Sequence, residues 1–529
     1  MKRMISFTAI LLFLASPGDT LAGEKIQSDA FTQAAESAAI AGATLDKVSR
    51  WLHGTALPRI DAETGLYIAD GRWNYRDTAA DCYPFLAWAA WAVDREVLNG
   101  AVRRVLHSEQ RLCNHLDRIP VPYDLEKGLK QALSYEEMVF QASEYVKDGL
   151  IAIVEVTGKD EWFYRMRDIE DDLWKHARIE TSFGKIPSQN IEVNGEQIQA
   201  LVRLHTMTGD ARYLVWAERL ADHYFSQENF VPNRLRDHGC EIIGGLGLLL
   251  GVESELNPDK AVIYAAGLKK IFDTILEKGC NEDGMMFNEI KRQAFGSRHR
   301  AFSDGWGYNY VGYLCYDMAL GVETYQPQVR RILTALSKPV YRDYQWEGNS
   351  IDGWADSVEG GLYLLNRVSV SEGFAWADHE TMAHIARTAE TDHMWGTMKL
   401  QSNGVRTALM HALMHTQGLT LHPWRQGLEL GAAPGEGDSL VILVRPENDY
   451  QGHLEFDIPR HRYYLGFQKD WPRMNTLPEW FTVEPDNMYS VHNVDTDETA
   501  ILTGRQMHNG VSVTVKGGRA VRFVVSAAP

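Results

Sequence analysis

The chain has 529 residues, 45% of them hydrophobic, and a formal net charge of −18 at pH 7. This length and apolar content suffice for one large domain and a smaller one. So acidic a chain argues against nucleic acid and anionic membranes as partners, because both carry negative charge themselves. The five cysteines are an odd number without a CxxC pair, so we expect buried thiols rather than a disulfide scaffold.

The N-terminus has the pattern of a secretory signal peptide. Lys2 and Arg3 precede an apolar run over 5–14, and Thr20–Ala22 offers a small-residue cleavage site. The apolar run is too short to span a bilayer. We therefore expect a soluble protein that is secreted or periplasmic, with a mature chain that starts near Gly23.

Helical segments then follow in about six consecutive pairs over 79–389. The second members, such as 258–278, have one charged stripe, which is typical of an outer helix with one wet face. The first members, such as 237–256, are apolar nearly all round and carry glycines, so we expect them to be buried. This pattern predicts a closed ring with the first members inside. An open superhelix of repeats is the alternative, but no short consensus sequence recurs.

After residue 417, a stretch rich in Gly and Pro ends the helical pattern, and short segments alternate with period two. They predict a small antiparallel β-sandwich, with turns at Asn509-Gly510 and Gly517-Gly518. The expected division is a signal peptide over 1–22, a helical catalytic domain over 23–425 and a β-sandwich domain over 426–529.

One weak pattern recurs where the inner helices begin: an aspartate, followed four residues later by an acidic or phenolic residue. Its instances are Asp77/Asp81, Asp237/Glu241, Asp304/Tyr308 and Asp352/Asp356. Residues four apart share a helix face, so each pair is expected to point into the same end of the ring. Alternatively, each aspartate only caps its helix.

The stretch 303–314, SDGWGYNYVGYL, combines a carboxylate, an amide and aromatic rings around three glycines. Such a composition suits a sugar-binding cleft, because rings stack on the apolar face of a pyranose and polar groups hold its hydroxyls. We expect Asp304 to be catalytic and Trp306, Asn309 and Tyr310 to bind substrate. The alternative is a helix start whose aromatic residues are buried as core.

A helical ring with acidic and aromatic inner-helix starts, followed by a small β domain, resembles the six-hairpin (α/α)6-toroid carbohydrate-active enzymes. These include unsaturated glucuronyl hydrolases, exo-acting β-glucuronidases and uronate polysaccharide lyases. The resemblance implies a mainly α fold, an (α/α)6 toroid of helical hairpins followed by a C-terminal β-sandwich, and a carbohydrate substrate. No motif aligns residue by residue, so the site residues are predicted from their chemistry.

The strongest carboxylate cluster consists of Asp352, Asp356 and Glu359, which their spacing places on one helix face. Mutual repulsion and lost solvation predict a raised pKa for at least one of them, as a general acid requires. Trp354 lies between them as a predicted stacking platform. Alternatively, the helix is merely capped and Glu359 pairs with a basic residue such as Arg367.

Two further groups complete the predicted site. The first contains a catalytic candidate and two substrate-binding candidates: Glu241, Asp237 and His238. The second is a basic loop, a solvated surface in the alternative view, that offers charge-assisted bonds to a uronate carboxylate: Arg298, His299 and Arg300.

We predict a secreted glycoside hydrolase that acts on an acidic, uronate-containing polysaccharide or oligosaccharide. It would pair one carboxylate of the 352–359 cluster with Asp304 or Glu241. The rival is a lyase that performs β-elimination with Tyr308 or His299 as base. A non-catalytic glycan-binding protein is the alternative of another class. No cofactor is expected, and no metal, because the histidine pairs do not match HExxH; the oligomeric state stays open.

Overall fold

The computed structural model of the chain describes residues 17–69, 71–291, 301–397 and 399–528, and side chains from residue 28 onward. All five cysteines are free thiols, as predicted. Fourteen long helices build the main body within these residues. In chain order they are α1 (Pro17–Arg50), α2 (Tyr83–Val93), α3 (Arg103–Cys113), α4 (Tyr135–Glu144, continued by Tyr145–Leu150 and Ile151–Thr157), α5 (Glu161–Lys175), α6 (Ile191–Thr208), α7 (Ala211–Phe225), α8 (Glu241–Leu256), α9 (Pro258–Lys278), α10 (Trp306–Leu320), α11 (Gln326–Ala335), α12 (Ile351–Arg367), α13 (Ser371–Ala386) and α14 (Gln401–Thr416).

The even-numbered helices contact one another in chain order, and α14 returns to α2, so they form a closed inner ring. The odd-numbered helices from α5 to α13 pack outside, each against the inner helix before it, and the helical segment Leu98–Val102 that leads into α3 packs against α2. The predicted toroid of six helical hairpins is thereby confirmed. In the described chain a further pair, α1 and α14 from the two ends of the helical region, completes the ring between α12 and α2.

Glycines set the close spacing of the inner helices. A Cβ built on Gly247 of α8 would lie 2.9 Å from the Cα of Gly312 on α10. Gly307 and Gly360 meet in the same way between α10 and α12. Any side chain at these four positions would push the helices apart, which explains the predicted glycine-rich character of the inner helices.

The chain after α14 forms strands, as the period-two pattern predicts. The strands are β1 (Thr420–His422), β2 (Leu428–Pro434), β3 (Leu440–Pro446), β4 (Tyr450–Glu455), β5 (Met488–Asn493), β6 (Glu498–Thr503), β7 (Val511–Val515) and β8 (Val521–Ala527). They form two antiparallel sheets, in the orders β6-β5-β8-β3-β2 and β7-β4-β1. The change from helix to strand falls between Thr416 and Thr420, and the domain boundary at 425/426 stays a prediction.

The segment 456–487, between β4 and β5, reaches back to the inner ring. Its Arg473 lies in a buried ion pair with Glu155 of α4, at 2.9 Å between Nε and Oε1. Arg203 of α6 pairs with the same carboxylate at 2.9 Å and donates a hydrogen bond to the carbonyl oxygen of Met474 at 2.8 Å. These contacts fix the segment against the inner helices, where it contributes to the site described next.

Candidate active site

A pocket of about 470 Å³, open mouth included, lies where the inner helices begin. Thirteen residues line it: Asp81, Lys147, Asp148, Asp237, His238, Glu241, Tyr308, Asp352, Asp356, Glu359, Arg406, Met474 and Asn475. Seven of them were predicted as site residues from the sequence, and they come from the starts of three separate inner helices.

The pocket has two sides, each built around one basic residue. The Arg406 wall is built by α10, α12 and α14 and comprises Tyr308, Asp352, Asp356, Glu359 and Arg406. The Lys147 wall is built by α4, α6, α8 and the turn before α8, and comprises Glu144, Lys147, Asp148, Glu196, Asp237, His238 and Glu241. Asp81, at the start of the α2 side, completes the ring of acidic groups.

Arg406 holds the Arg406 wall together. Its guanidinium pairs with Asp356 at 2.6 Å and with Glu359 at 2.7 Å. Glu359 also accepts hydrogen bonds from Tyr363, at 2.6 Å, and from Tyr308. The predicted alternative, in which Glu359 pairs with a basic residue, is therefore confirmed with Arg406 as the partner, while the example given for it, Arg367, pairs with Asp470.

Tyr308 donates its hydroxyl proton to this acidic group. Its oxygen lies 3.1 Å from Oδ1 of Asp356 and also contacts Glu359. Burial raises the pKa of Tyr308 well above its ordinary value, and the neighbouring carboxylates add to this although Arg406 opposes it. Tyr308 is therefore a hydrogen-bond donor at neutral pH and a poor base.

Asp352 differs from its neighbours because no cation pairs with it in the described chain. Burial and the charge of Asp356 raise the pKa of Asp352 to about 7, while Arg406 and the amide of Asn403 oppose the shift. Burial likewise raises the pKa of Asp81 well above its ordinary value, and Asp352 adds to this. Near pH 7 this side of the pocket thus holds a carboxyl group that can donate a proton.

Lys147 is the ammonium group of the opposite wall. Its Nζ lies 2.5 Å from Glu241 and 2.7 Å from Asp148. The second oxygen of Glu241 accepts a hydrogen bond from Gln199 at 2.6 Å, and Asn475 donates one to Asp148 at 3.0 Å. Burial raises the pKa of Glu241 despite the opposing charge of Lys147.

Asp237 and His238 form the rim of the Lys147 wall. The side chain of Asp237 is 28% exposed and pairs with Arg234. Burial raises the pKa of Asp237, but the positive charges of His238 and of two neighbouring arginines lower it by more, so it lies below its ordinary value. Asp237 is therefore a deprotonated carboxylate that faces the pocket.

Asp304, predicted as a catalyst, lies behind the pocket lining and is 1% exposed. Its Oδ1 accepts hydrogen bonds from the backbone N–H groups of Asp237, at 2.9 Å, and of Gly305, at 2.8 Å. Burial and the charge of Asp356 raise the pKa of Asp304 to about 7. These contacts hold the Asp237 turn in place and favour a positioning role for Asp304; its catalytic role stays a prediction.

The predicted sugar-binding residues of the same helices are buried as well. Trp306 donates a hydrogen bond to Ser357 at 2.9 Å, and Tyr310 donates one to the carbonyl oxygen of Gly284 at 2.6 Å. Asn309 donates to the carbonyl oxygens of Leu235 and Gly305, both at 2.8 Å. The ring of Trp354 stacks on that of His384, with 4.0 Å between the ring centroids. None of the four is more than 3% exposed. A ring without a free face cannot stack on a sugar, so this burial favours the alternative, a buried aromatic core.

The basic loop Arg298, His299 and Arg300 lies outside the described residues, and its role stays a prediction. Six lining residues were not predicted: Asp81, Lys147, Asp148, Arg406, Met474 and Asn475. Asp81 had a signal, since it belongs to the recurring aspartate pattern. The last two come from the 456–487 segment, and no local pattern reports that a loop of the β domain reaches the ring.

The charge of the lining is strongly negative. Seven carboxylates face two basic side chains, Lys147 and Arg406, and one imidazole, and both of these basic side chains already pair with carboxylates of the lining. Four sets of side chains in the described chain have metal-ligand types close together. In one of them, Asp378 accepts hydrogen bonds from His411 and His415 at the same carboxylate oxygen, both at 2.8 Å. Another lies in the Lys147 wall and consists of Glu144, Asp148, Glu196 and His238. The remaining two are Asp343 with His379 and Glu380, and Asp470 with His461 and Glu479.

No family model matches the chain, and no curated protein does. Among solved structures it is similar to a glycosyl hydrolase of family 88 from Bacteroides vulgatus, with 14% identity over 53% of this chain and 90% of that one and a TM-score of 0.37. It is also similar to a polysaccharide lyase, with 16% identity over 50% and 86% and a TM-score of 0.36. A D-mannose isomerase gives 11% identity over 71% and 97% and a TM-score of 0.39.

These structures belong to the toroid carbohydrate-active enzymes that the sequence resembles. What the three share is carbohydrate chemistry. Their names state hydrolysis, lysis and isomerisation, so the comparisons select none of these reactions for the chain.

Proposed function

We propose that the protein is a glycoside hydrolase in which Asp352 is the general acid and Asp237 is the carboxylate on the other side of the scissile bond. One observation carries this proposal. The same pocket holds two carboxyl groups whose surroundings shift their pKa values in opposite directions, Asp352 to about 7 and Asp237 below its ordinary value. A protonated acid opposite a deprotonated carboxylate is what glycoside hydrolysis requires.

The second member of this pair differs from the one that the sequence suggested. Asp304 is buried behind the lining, and both oxygens of Glu241 are engaged by Lys147 and Gln199. The oxygens of Asp237 are also paired, with Arg234 and with His238, but its side chain is 28% exposed on the pocket rim, whereas that of Glu241 is 2% exposed. Asp237 therefore has the access that a nucleophile, or a base that activates water, needs.

The contacts of Tyr308 argue against the rival β-elimination. A tyrosine base needs a lowered pKa, whereas the pKa of Tyr308 is raised and its proton is shared with Asp356 and Glu359. Elimination also needs a cation for the charge that develops on the uronate. Arg406, the nearest candidate, is already paired with two carboxylates.

The negative lining favours an uncharged sugar at the scissile bond over a uronate. A uronate carboxylate would enter a site with seven carboxylates, where both basic side chains of the described lining are engaged. Like charges at such short range cost free energy in a partly buried site. Binding of an acidic sugar would then depend on basic residues other than those of the described lining.

We further propose that the protein is exported, on the basis of the N-terminal basic pair and apolar run. No helix in the described part of the chain combines the length and apolarity needed to cross a membrane.

The test is hydrolysis of matched glycosides, such as aryl glucosides and glucuronides and the corresponding oligosaccharides, by the full chain. We expect release of reducing sugar, faster from the neutral member of each pair. D352N is expected to lower kcat by about 10²–10⁴-fold, the usual contribution of a general acid. The control is D343N, at a side chain that is 63% exposed and does not belong to the pocket lining.

Two outcomes would overturn the hydrolase. One is full activity of D352N alongside D343N. The other is an unsaturated uronate as the product, which would establish the lyase. Binding of glycans from the panel without cleavage of any bond would favour the non-catalytic alternative.

A further inference from the structure

Three buried carboxylates and one partly exposed histidine of the Lys147 wall converge on one point. Glu144, Asp148, Glu196 and His238 each offer one ligand atom, and these atoms all lie within 4.8 Å of one another. They come from three separate elements: α4, α6 and the turn Asp237–Cys240. Glu196 is fully buried, and Glu144 is 1% exposed.

Hydrogen bonds from the described residues do not satisfy this group. Both oxygens of Glu196 lack a partner, as do Oε1 of Glu144 and Oδ2 of Asp148. In the Arg406 wall, by contrast, Glu359 receives two tyrosine hydroxyls and a guanidinium. A buried carboxylate without a partner is costly, so four such oxygens at one point need a positive partner or protons.

The geometry around His238 fits an ion better than hydrogen bonds. Its Nδ1 lies 3.9 Å from Oε2 of Glu144 and 3.9 Å from Oδ2 of Asp148, beyond hydrogen-bond range. Metal–ligand bonds of about 2.0–2.4 Å place two ligands of one ion at most about 4.8 Å apart. The other ring nitrogen, Nε2, lies 3.3 Å from Asp237, which would orient the imidazole as a carboxylate behind a metal-bound histidine does.

We propose that Glu144, Asp148, Glu196 and His238 bind a divalent cation through three carboxylate oxygens and the Nδ1 of His238. Mn²⁺ suits this set, since carboxylate oxygens predominate and one imidazole joins them. The other oxygen of Asp148 is held by Lys147 and Asn475, which leaves Oδ2 for the ion. Binding would displace the proton that His238 otherwise carries.

The cation would lie in the pocket wall, because Asp148 and His238 belong both to this group and to the lining. Its two positive charges would offset part of the acidic lining without using Lys147 or Arg406. The proposal does not depend on the reaction, since the ligand atoms are the same whatever sugar the pocket holds.

Calorimetric titration of Mn²⁺ into the full chain, after removal of metals with a chelator, tests the site. We expect one Mn²⁺ per chain, and E196Q to bind at least about 10-fold more weakly. The matched control is E253Q. Glu253 is also fully buried with two unpartnered carboxylate oxygens, but it lies three turns into α8, away from the four ligands.

A wild-type chain that binds no Mn²⁺, Zn²⁺, Ca²⁺ or Mg²⁺ at millimolar concentration would overturn the proposal and leave protons as the partner of these carboxylates. Equal affinity of E196Q and E253Q would overturn it as well. If E196Q does not fold, H238Q replaces it, because this side chain is 28% exposed and tolerates substitution more readily. Its Mn²⁺ affinity and the rise of Tm on Mn²⁺ addition should then both fall.

Discussion

The Arg406 wall and the Lys147 wall of the pocket both bury carboxylates, but they compensate the charge to different extents. In the Arg406 wall, one guanidinium and two tyrosine hydroxyls reach Asp356 and Glu359. In the Lys147 wall, Lys147 reaches Asp148 and Glu241, and four oxygens of Glu144, Asp148 and Glu196 receive no hydrogen bond from the described residues. Asp356 and Glu359 of the first wall thus have charged partners among the described residues, whereas four carboxylate oxygens of the second wall have none there.

This difference separates two tasks within one pocket. The Arg406 wall can hold Asp352 in a fixed place with a pKa near 7, as an acid catalyst needs. The Lys147 wall suits an ion, because buried carboxylate oxygens without partners destabilise the folded protein until a cation binds to them.

Loss of Arg406 is expected to have the largest effect on stability. R406M leaves two buried carboxylates without their cation, and breaking a buried pair in this way costs about 3–5 kcal/mol. Urea unfolding measures this loss. The control is R445M, whose pair with Glu429 is exposed and is worth at most about 1 kcal/mol. Equal losses for the two variants would mean that Arg406 does not hold the wall together.

Replacing a buried glutamate by glutamine should affect the free energy of unfolding differently in the two walls. In metal-free protein, E359Q removes the partner of Arg406 and is expected to lower the free energy of unfolding at pH 7 by about 1–3 kcal/mol. E196Q should not lower it, because the amide replaces a buried carboxylate that has no partner.

The pH dependence follows from the sign of the shift at Glu196. Burial raises the pKa of Glu196 well above its ordinary value. Its contribution to stability is therefore complete below the unfolded pKa and is lost as pH rises through the folded pKa. Unfolding of wild-type protein between pH 4 and pH 8 should show this loss, and E196Q should show less of it. A parallel pH dependence of E196Q and wild type would remove the contrast between the walls.

The smallest effect is expected at Asp304. D304N keeps an oxygen that accepts the N–H groups of Asp237 and Gly305, so activity should stay within a few-fold of wild type. D304A removes both hydrogen bonds and should cost about 1–3 kcal/mol of stability. If Asp304 were the acid catalyst, D304N would lose activity as strongly as D352N, and kcat of the two variants decides between these roles.

Much of the fold follows from the sequence because hydrophobic periodicity reports burial directly. The charged stripe of 258–278 and the glycine-rich apolar 237–256 became an outer and an inner helix, α9 and α8. The β region followed from period two in the same way. The packing of α1 against α14 could not be predicted, because contacts between the two ends of the helical region leave no local pattern in the sequence.

The site was predicted only in part for a related reason. Asp352, Asp356 and Glu359 share a helix face by spacing, and the structure places all three in the pocket. Trp306, Tyr310 and Trp354 have the composition of a binding cleft, yet the same composition serves a core. Which face of an inner helix meets the cavity depends on its rotation in the ring. Lys147, Arg406 and Asn475 join the site through tertiary contacts that spacing along the chain does not encode.

The central claim is that Asp352 keeps its proton near neutral pH. Carbon-13 NMR titration of aspartate carboxyl groups in wild type, D352N and D304N tests it without a substrate. We predict a carboxyl signal that titrates with a pKa of about 7 and disappears in D352N but not in D304N. If every signal that D352N removes titrates near the ordinary aspartate pKa of about 4, Asp352 is ionised at neutral pH and cannot be the general acid.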